Sequence, residues 1–381
     1  MLFLTPTKRL RKRMGSNAYR VIRTIKVGDN PVAAVFALKT NRIYVVNNGD
    51  STLSVINGRT NRVTTKVKIP LRAGNAAINP RTNLIYVTSS NSIGRVSVVN
   101  GVTNQIVKTI RVGNMPSAIK VNSATTRIYV LNMGSDTVSV IDGKTMKVMA
   151  TIKVGKQNPS VAGADTLAVN VRTNRIYVLN TASKTMSVIN GKTNRVITTV
   201  VVGETPTTVK INGKTNRIYV VSGPFKQTTM VVIDGKTNKK IASIENIGDV
   251  GNFGINPVTN RIYAPDDNGR TIAVINGRSN KVITRIPDGV FPSLTIIDSC
   301  VNRIFVATIG GPSPTQHSRL SVINGRRNMI LSDLQIGVGA TAGVLNPRNG
   351  RVYIVNQISN DVSMVAPAPH NMVTKKAHRM R

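Results

Sequence analysis

Tryptophan is absent from this chain of 381 residues, and aromatic residues of every kind make up only 4%. That leaves little for stacking on nucleic-acid bases. A single cysteine, Cys300, excludes any intrachain disulfide. Only three histidines occur, His317, His370 and His378, and no two His or Cys have the spacing of metal ligands. No apolar run approaches the roughly 20 residues of a membrane-spanning helix. The start, "MLFLTPTKRLRKRMGSNAY", places its charges after a short apolar run and shows no small-residue cleavage site, unlike a secretory signal. From this the protein is expected in the cytosol, unless it leaves by another route or an export segment is missing from the chain. Acidic residues are scarce too: 15 Asp and Glu face 52 Lys and Arg, a formal charge of +37. Such an imbalance favours solubility and attracts polyanions.

What is present is repetition. "TNRIYVVN" at Thr40 returns as "TNLIYVTS" from Thr82, "TTRIYVLN" from Thr125, "TNRIYVLN" from Thr173, "TNRIYVVS" from Thr215, "TNRIYAPD" from Thr259, "VNRIFVAT" from Val301 and "RNGRVYIVN" from Arg348. Around each string lie four short runs, here named A to D. In the second unit they are "NAAIN", "NLIYVTS", "GRVSVVN" and "NQIVKTIRVG". Each is rich in Val, Ile, Thr and Tyr and bounded by Gly, Asn, Pro or Ser, the pattern of a strand. Run B is apolar on both sides of its alternation (Ile43 and Val45, Tyr44 and Val46), so both faces must be covered. Stacked four-stranded sheets do this, and such a repeat of about 40 to 45 residues is the propeller pattern. Between C and D stand "INGRTNRV", "IDGKTMKV" and their copies. Asn-Gly and Asp-Gly tolerate the positive φ of tight hairpins, so C and D are expected to be antiparallel neighbours.

The ends predict closure. A lone D run, "YRVIRTIKVG", precedes the first full unit, and A, B and C alone follow the last. Pairing the two gives an all-β propeller of eight four-stranded antiparallel blades, with the N-terminal strand completing the C-terminal blade. Seven blades is the alternative, if the divergent Phe305 unit fails to form one. The expected organisation is a basic arm at 1–18, the propeller at 19–366 and a basic tail at 367–381.

"IYVVN", "IYVLN" and "SVINGKTNRVITTVVVG" resemble the YVTN-type repeat β-propellers of archaeal surface layers and bacterial envelopes. The resemblance implies the fold and a place at the cell surface or envelope. It implies no shared activity, and this chain departs from the family in lacking an export signal and in counting eight units where many members have seven. The absence of Trp separates it from tryptophan–aspartate repeat propellers.

In a propeller the A–B and C–D turns emerge on one face, and the B–C and D–A loops on the other. About 25 of the 52 Lys and Arg fall on the first face and about five on the second. Arg42, Arg127, Arg175, Arg217, Arg261, Arg303 and Arg351 stand at A–B turns, and Lys147, Arg195, Lys239 and Lys281 at C–D turns. These are the candidate contacts to an anionic polymer, a nucleic-acid backbone or an envelope polymer, held without sequence specificity. Cations along the D runs (Lys66, Lys68, Lys108, Lys153) are expected to guard outer edges against pairing. Two inserted segments, "KQNPSVAGAD" and "GGPSPTQHSR", fall on the opposite face, making Lys156, Gln157, Asn158, Gln316 and His317 candidates for protein or small-ligand binding. Asp266 and Asp267, in "PDDNGR", join them, although the alternating ligand spacing of a calcium loop is missing. The A runs bring small and apolar residues to the channel, which argues against a hydrolase or lyase there. The expectation is a monomeric, non-catalytic interaction scaffold without cofactor or metal.

Overall fold

The computed structural model describes residues 18–368, apart from 71, 90–92, 162, 164, 225–226, 289–291 and 309–315. The expected terminal arms therefore lie almost wholly outside the described residues. Each run forms a strand. In blade 1 these are A, Pro31–Ala37; B, Arg42–Asn47; C, Thr52–Asn57; and D, Arg62–Lys68, hydrogen-bonded in that order. Eight such sheets are present, each four-stranded and antiparallel. Successive A strands lie against one another around the ring, and that of blade 8 lies against that of blade 1. The A strands thus line a central channel and the D strands form the rim. The Phe305 unit is a complete blade, with strands Pro292–Asp298, Arg303–Thr308, Arg319–Asn324 and Met329–Gln335, so the count is eight and not seven. No α-helix occurs among the described residues, and no helix is long and apolar enough to cross a membrane.

The blades adhere through aliphatic and tyrosine side chains. Tyr44, Val46 and Val55 of blade 1 share one buried cluster with Ile85, Val87 and Val99 of blade 2, and equivalent clusters recur around the ring. Each fully buried Val, Ile or Leu contributes roughly 1.5–3 kcal/mol, which explains why strand B is apolar on both faces.

The turns follow a different rule from the one the Asn-Gly pairs suggest. The expected hairpins form, but Gly58 does not supply the left-handed residue. Asn61 does, at φ 55°, as do Asn194, Asn238, Asn280 and Asn328 at the same place in other blades. Asn57 caps the turn by accepting from the Arg59 and Thr60 amides. Gly58 is needed for close approach: its N–H donates to the Asn41 carbonyl at 2.8 Å, and a Cβ there would stand 2.7 Å from that oxygen. The A–B and C–D turns of one blade are thereby joined.

Every D strand carries a β-bulge at one shared position, leaving Ile22, Thr64, Val107, Met149, Ile197, Ile241, Ile283 and Leu331 unpaired with strand C. A bulge breaks the regular ladder that a second edge strand would need. The rim is therefore protected by backbone geometry as well as by the expected cations.

Blade 8 closes the ring. Its strands A to C (Ala340–Asn346, Arg351–Asn356, Asp361–Pro367) receive D from the N-terminal segment, Tyr19–Lys26, with Tyr19 opposite Pro367 and Lys26 opposite Asp361. Blade 8 consequently has no C–D hairpin, and this accounts for the one phenylalanine in the tyrosine series. At three other junctions the hydroxyl of strand B's tyrosine (Tyr44, Tyr263, Tyr353) bonds the next blade's C–D turn, whereas the buried hydroxyls of Tyr86, Tyr129, Tyr177 and Tyr219 make no hydrogen bond among the described residues. Tyr44 Oη lies 3.0 Å from the Gly101 carbonyl and 2.8 Å from Asn104 Oδ1, and Tyr353 Oη donates to Asn61 Oδ1 at 2.9 Å. Phe305 faces blade 8, where no such turn exists, and the Tyr19 ring packs edge-on against it at 5.5 Å and 81°. The hydroxyl is missing where the hairpin that would receive it is missing. Replacing Tyr353 by Phe is expected to lower stability by about 1 kcal/mol, because Asn61 loses a buried partner across the closure. Phe305→Tyr is expected to give no gain. Chemical denaturation of both variants checks the pair.

Candidate functional site

The strand-B arginines turn inward and sideways, toward the neighbouring blade. Arg42 Nη1 donates to the carbonyls of Gly101 (3.1 Å) and Val102 (2.8 Å) and to Asn104 Oδ1 (3.2 Å), all in the C–D turn of blade 2. Arg127 reaches Gly191. Arg175 reaches Gly235 at 2.6 Å and Asn238 at 3.0 Å; Arg217 reaches Gly277; Arg261 reaches Gly325 at 2.6 Å. Arg351 crosses the closure to Asn61 Oδ1 at 3.3 Å. All six are half-buried. Arg303 is buried beside Asp298 and Tyr19 at the seam and donates to the Val301 carbonyl. The left-handed asparagine that precedes Arg42, Arg175, Arg217, Arg261 and Arg303 has a second task. Asn174, Asn216, Asn260, Asn302 and Asn41 each accept, at 2.7–2.9 Å, from the asparagine that ends strand A of the preceding blade. Asn-Arg-Ile-Tyr is thus a connector between blades.

Exposed cations include Lys39, Arg81, Arg172, Lys214 and Arg348 at the A–B turns, and two series one and four residues beyond the C–D glycines. Arg59, Lys144, Lys192, Lys236, Arg278 and Arg326 occupy the first position, and Arg62, Lys147, Arg195, Lys239 and Lys281 the second; all are exposed. Blade 2 interrupts both series with Val102 and Gln105, and its strand B begins with Leu84 in place of arginine. The acids of these turns, Asp142 and Asp234, accept from their own turn amides, Lys144 and Thr145 or Lys236 and Thr237, which holds both carboxyls below the usual range. At the opposite ends of the blades acids meet cations: Lys66–Asp50, Lys153–Asp136 and Lys26–Asp361 at 3.6 Å, and Lys184–Glu204 at 2.7 Å.

The inserted loop is pinned to that opposite side. Gln157 is buried, its N–H donating to Asp136 Oδ1 (2.8 Å) and its Nε2 to the Gly155 carbonyl (3.0 Å). Asn158 N–H donates to Thr181 Oγ1, while Lys156 is exposed. Of the second insertion, 309–315 lies outside the described residues; Gln316 and His317 are exposed, and His317 Nδ1 meets the Ile336 carbonyl at 2.8 Å. Asp266 is buried and accepts from the Asp249 and Gly269 amides. Burial, then the charges of Asp249 and Asp266, push the Asp267 carboxyl up to about 6. Among the described residues no group of three His, Cys, Asp or Glu is arranged to hold a metal ion.

The channel contradicts the expectation of purely small and apolar A strands. Lys120 and Lys210 project from strand A of blades 3 and 5, from "AIKVN" and "TVKIN". Both meet Asp165, which ends the inserted segment 156–165 and enters blade 4: Lys120 Nζ lies 3.2 Å from Oδ1 and Lys210 Nζ 3.3 Å from Oδ2. Lys210 also donates to Asn252 Oδ1 (2.5 Å) and the Phe253 carbonyl (2.6 Å), and sits 5.4 Å from the Phe253 ring centre. Burial alone would raise the Asp165 carboxyl; Lys210 and Lys120 outweigh it and hold the group well below the usual carboxylate range. The signal in the sequence was a lysine two residues before the strand-ending asparagine, where other blades have Val35, Ala77, Ala168, Gly254, Ile296 or Val344.

The chain matches no family model and no curated protein. Among solved structures it is similar to hydrazine synthase of Kuenenia stuttgartiensis, 16% identical with a TM-score of 0.62 over 89% of this chain and 96% of that one. It is also similar to the dihydro-heme d1 dehydrogenase NirN, solved in complex with DHE, 15% identical with a TM-score of 0.67 over 87% of this chain and 74% of that one. The likeness is one of fold.

One buried acid departs from the repeat. Asp288 N–H donates to the Arg270 carbonyl, as Val154 and Val202 do to Asp136 and Lys184 in their blades, so a carboxyl stands where others have an aliphatic side chain. It is 8% exposed, with Ser321 Oγ donating to Oδ1. Burial pushes it up to about 6, against the lowering effect of that hydrogen bond. The native carboxyl therefore holds its proton more tightly than the unfolded chain does, and stability falls as pH rises from about 4 through 6. Asp288→Asn is expected to raise the melting temperature above pH 6 and leave it unchanged below pH 4, as thermal unfolding at both pH values would record.

Proposed function

We propose that this propeller is a monomeric, non-catalytic interaction scaffold whose A–B and C–D face holds anionic polymers without sequence specificity. The observation that carries the reading is the unequal pairing of charge at the two ends of the blades. Asp50, Asp136 and Asp361 on the B–C side are matched by cations at the ends of the D strands, and Glu204 by Lys184 of a B–C loop. Among the described residues the acids within the C–D turns that carry Arg59 to Arg326 are Asp142 and Asp234, whose carboxylates are turned to backbone amides. A polymer of phosphates or carboxylates would release counterions wherever it met one of these cations. The repeat tyrosines are buried, so bases would have no stacking platform and only the backbone would be gripped. Kinship with the YVTN-type envelope propellers, inferred from the recurring strings, agrees with an anionic surface polymer as partner.

The working residues in this reading are the C–D cations, since the strand-B arginines already serve the blade junctions. Reversing Lys144, Lys192 and Lys236 to Glu together is expected to bring elution from heparin and from DNA resin to lower salt. The slope of log affinity against log salt should fall by about one for each anionic group no longer neutralised. Lys184→Glu, on the other face, should elute like the parent. Equal elution of the two variants would overturn the proposal.

A further inference from the structure

The channel cluster is more than a tie between blades. Six of the eight blades close the channel wall at this height with apolar side chains or glycine, and a partly buried ion pair adds little to stability over an apolar contact. The ring therefore closes without lysine at this position. Lys210 is fixed independently of Asp165, by Asn252 Oδ1, the Phe253 carbonyl and the Phe253 ring. Lys120 meets Asp165 alone among the described residues. Two ammonium groups share one carboxylate, each taking a separate oxygen at 3.2–3.3 Å, and Asn252 Nδ2 adds a third donor to Oδ2 at 3.4 Å. One positive charge is left over. The side chains of Lys120, Asp165 and Lys210 remain 34%, 27% and 24% accessible, and strand A is innermost, so that access is from the channel. The facing wall is aliphatic, with Ile296, Val344 and Val35 partly exposed on strand A of blades 7, 8 and 1.

We propose that Lys120, Lys210 and Asn252 form an oxyanion seat in the central channel, built for a carboxylate or phosphate group and filled in this state by the chain's own Asp165. The Asp165 side chain adopts the pose of such a ligand, with both oxygens bound by cations from different blades. It arrives on a D–A connection, and the Asp165 carbonyl accepts from the Val209 amide beside Lys210 at 2.8 Å, so the occupant's backbone is held at the seat that its side chain fills. An external anion has two routes in. It can add at Lys120, which has donors to spare, or it can displace Asp165 and bridge both lysines. The aliphatic far wall suits a ligand whose body is apolar beyond its anionic group.

The test is calorimetric titration of the full chain at low ionic strength with inorganic phosphate and, separately, acetate. Parent protein is expected to show saturable binding of at least one, and the tighter titrant tells whether the seat prefers phosphate or carboxylate. Lys120→Gln should weaken that binding about ten-fold, as removal of one charge-assisted hydrogen bond would. Asp165→Asn should tighten it by a similar factor, and Lys184→Gln should leave it unchanged. Equal binding by parent and Lys120→Gln would overturn the proposal, since the surface cations would then account for all of it. Should Asp165→Asn fail to fold, the Lys120→Gln comparison still decides. Retention of Lys120→Gln on heparin tests different residues, so the seat and the polymer-binding face stand or fall separately.

Discussion

The ring depends on a bond pattern between turns. A gap separates neighbouring sheets, crossed at the entry to blade 4 by the Val209 amide, which donates to the Asp165 carbonyl. Aliphatic side chains fill the gap but do not fix how far one blade slides along the next. The guanidinium of strand B does, because it forks onto carbonyl and amide oxygens of the adjoining C–D turn, groups whose positions the turn itself dictates. The strand-A asparagine adds a second fixed point one turn away. Such bonds are directional where the hydrophobic packing is not, so they fix the register of the blades they join; blades 2 and 3, where Leu84 replaces the arginine, rely on packing and on Asn75 Nδ2 donating to the Ser117 carbonyl.

The recurring string therefore encodes a joint. Ile and Tyr fill the gap, Asn turns the chain and receives the preceding blade, and Arg grips the following one. The exceptions fall where the joint changes. Phe305 and Asp298 stand beside the blade that lacks a C–D hairpin, and Leu84 begins the strand whose following blade is gripped by no arginine. Drift of sequence at blade 7 is the imprint of closure, so the most divergent unit is still a full blade.

Strand pattern, blade count and closure were legible because each rests on local alternation and on turn residues repeated many times over. The burial of the tyrosines follows from the same alternation. Two features were not legible. The strand-B arginines have the composition of a charged turn, and only the distance to the next blade's carbonyls shows that they are spoken for; a bond spanning some sixty positions of chain leaves no local trace. The lysines of the channel were visible as letters in "AIKVN" and "TVKIN", but their meeting at Asp165 joins blades 3, 4 and 5 and exists only once the ring is formed. The Asn-Gly pairs behave the opposite way: the hairpin was right and its mechanics were not, because close packing against the A–B turn, and not a left-handed residue, calls for glycine there.

Blade 8 also brings together the two ends of the described residues. The Ala368 amide donates to the Ala18 carbonyl at 2.9 Å, in the place a hairpin would occupy in any other blade. A chain cut back to these two residues and joined by a short linker would be an uninterrupted loop of polypeptide. New ends could then be opened at a B–C loop, away from the C–D turns that receive the arginines, and the order of blades along the chain would become a matter of convention.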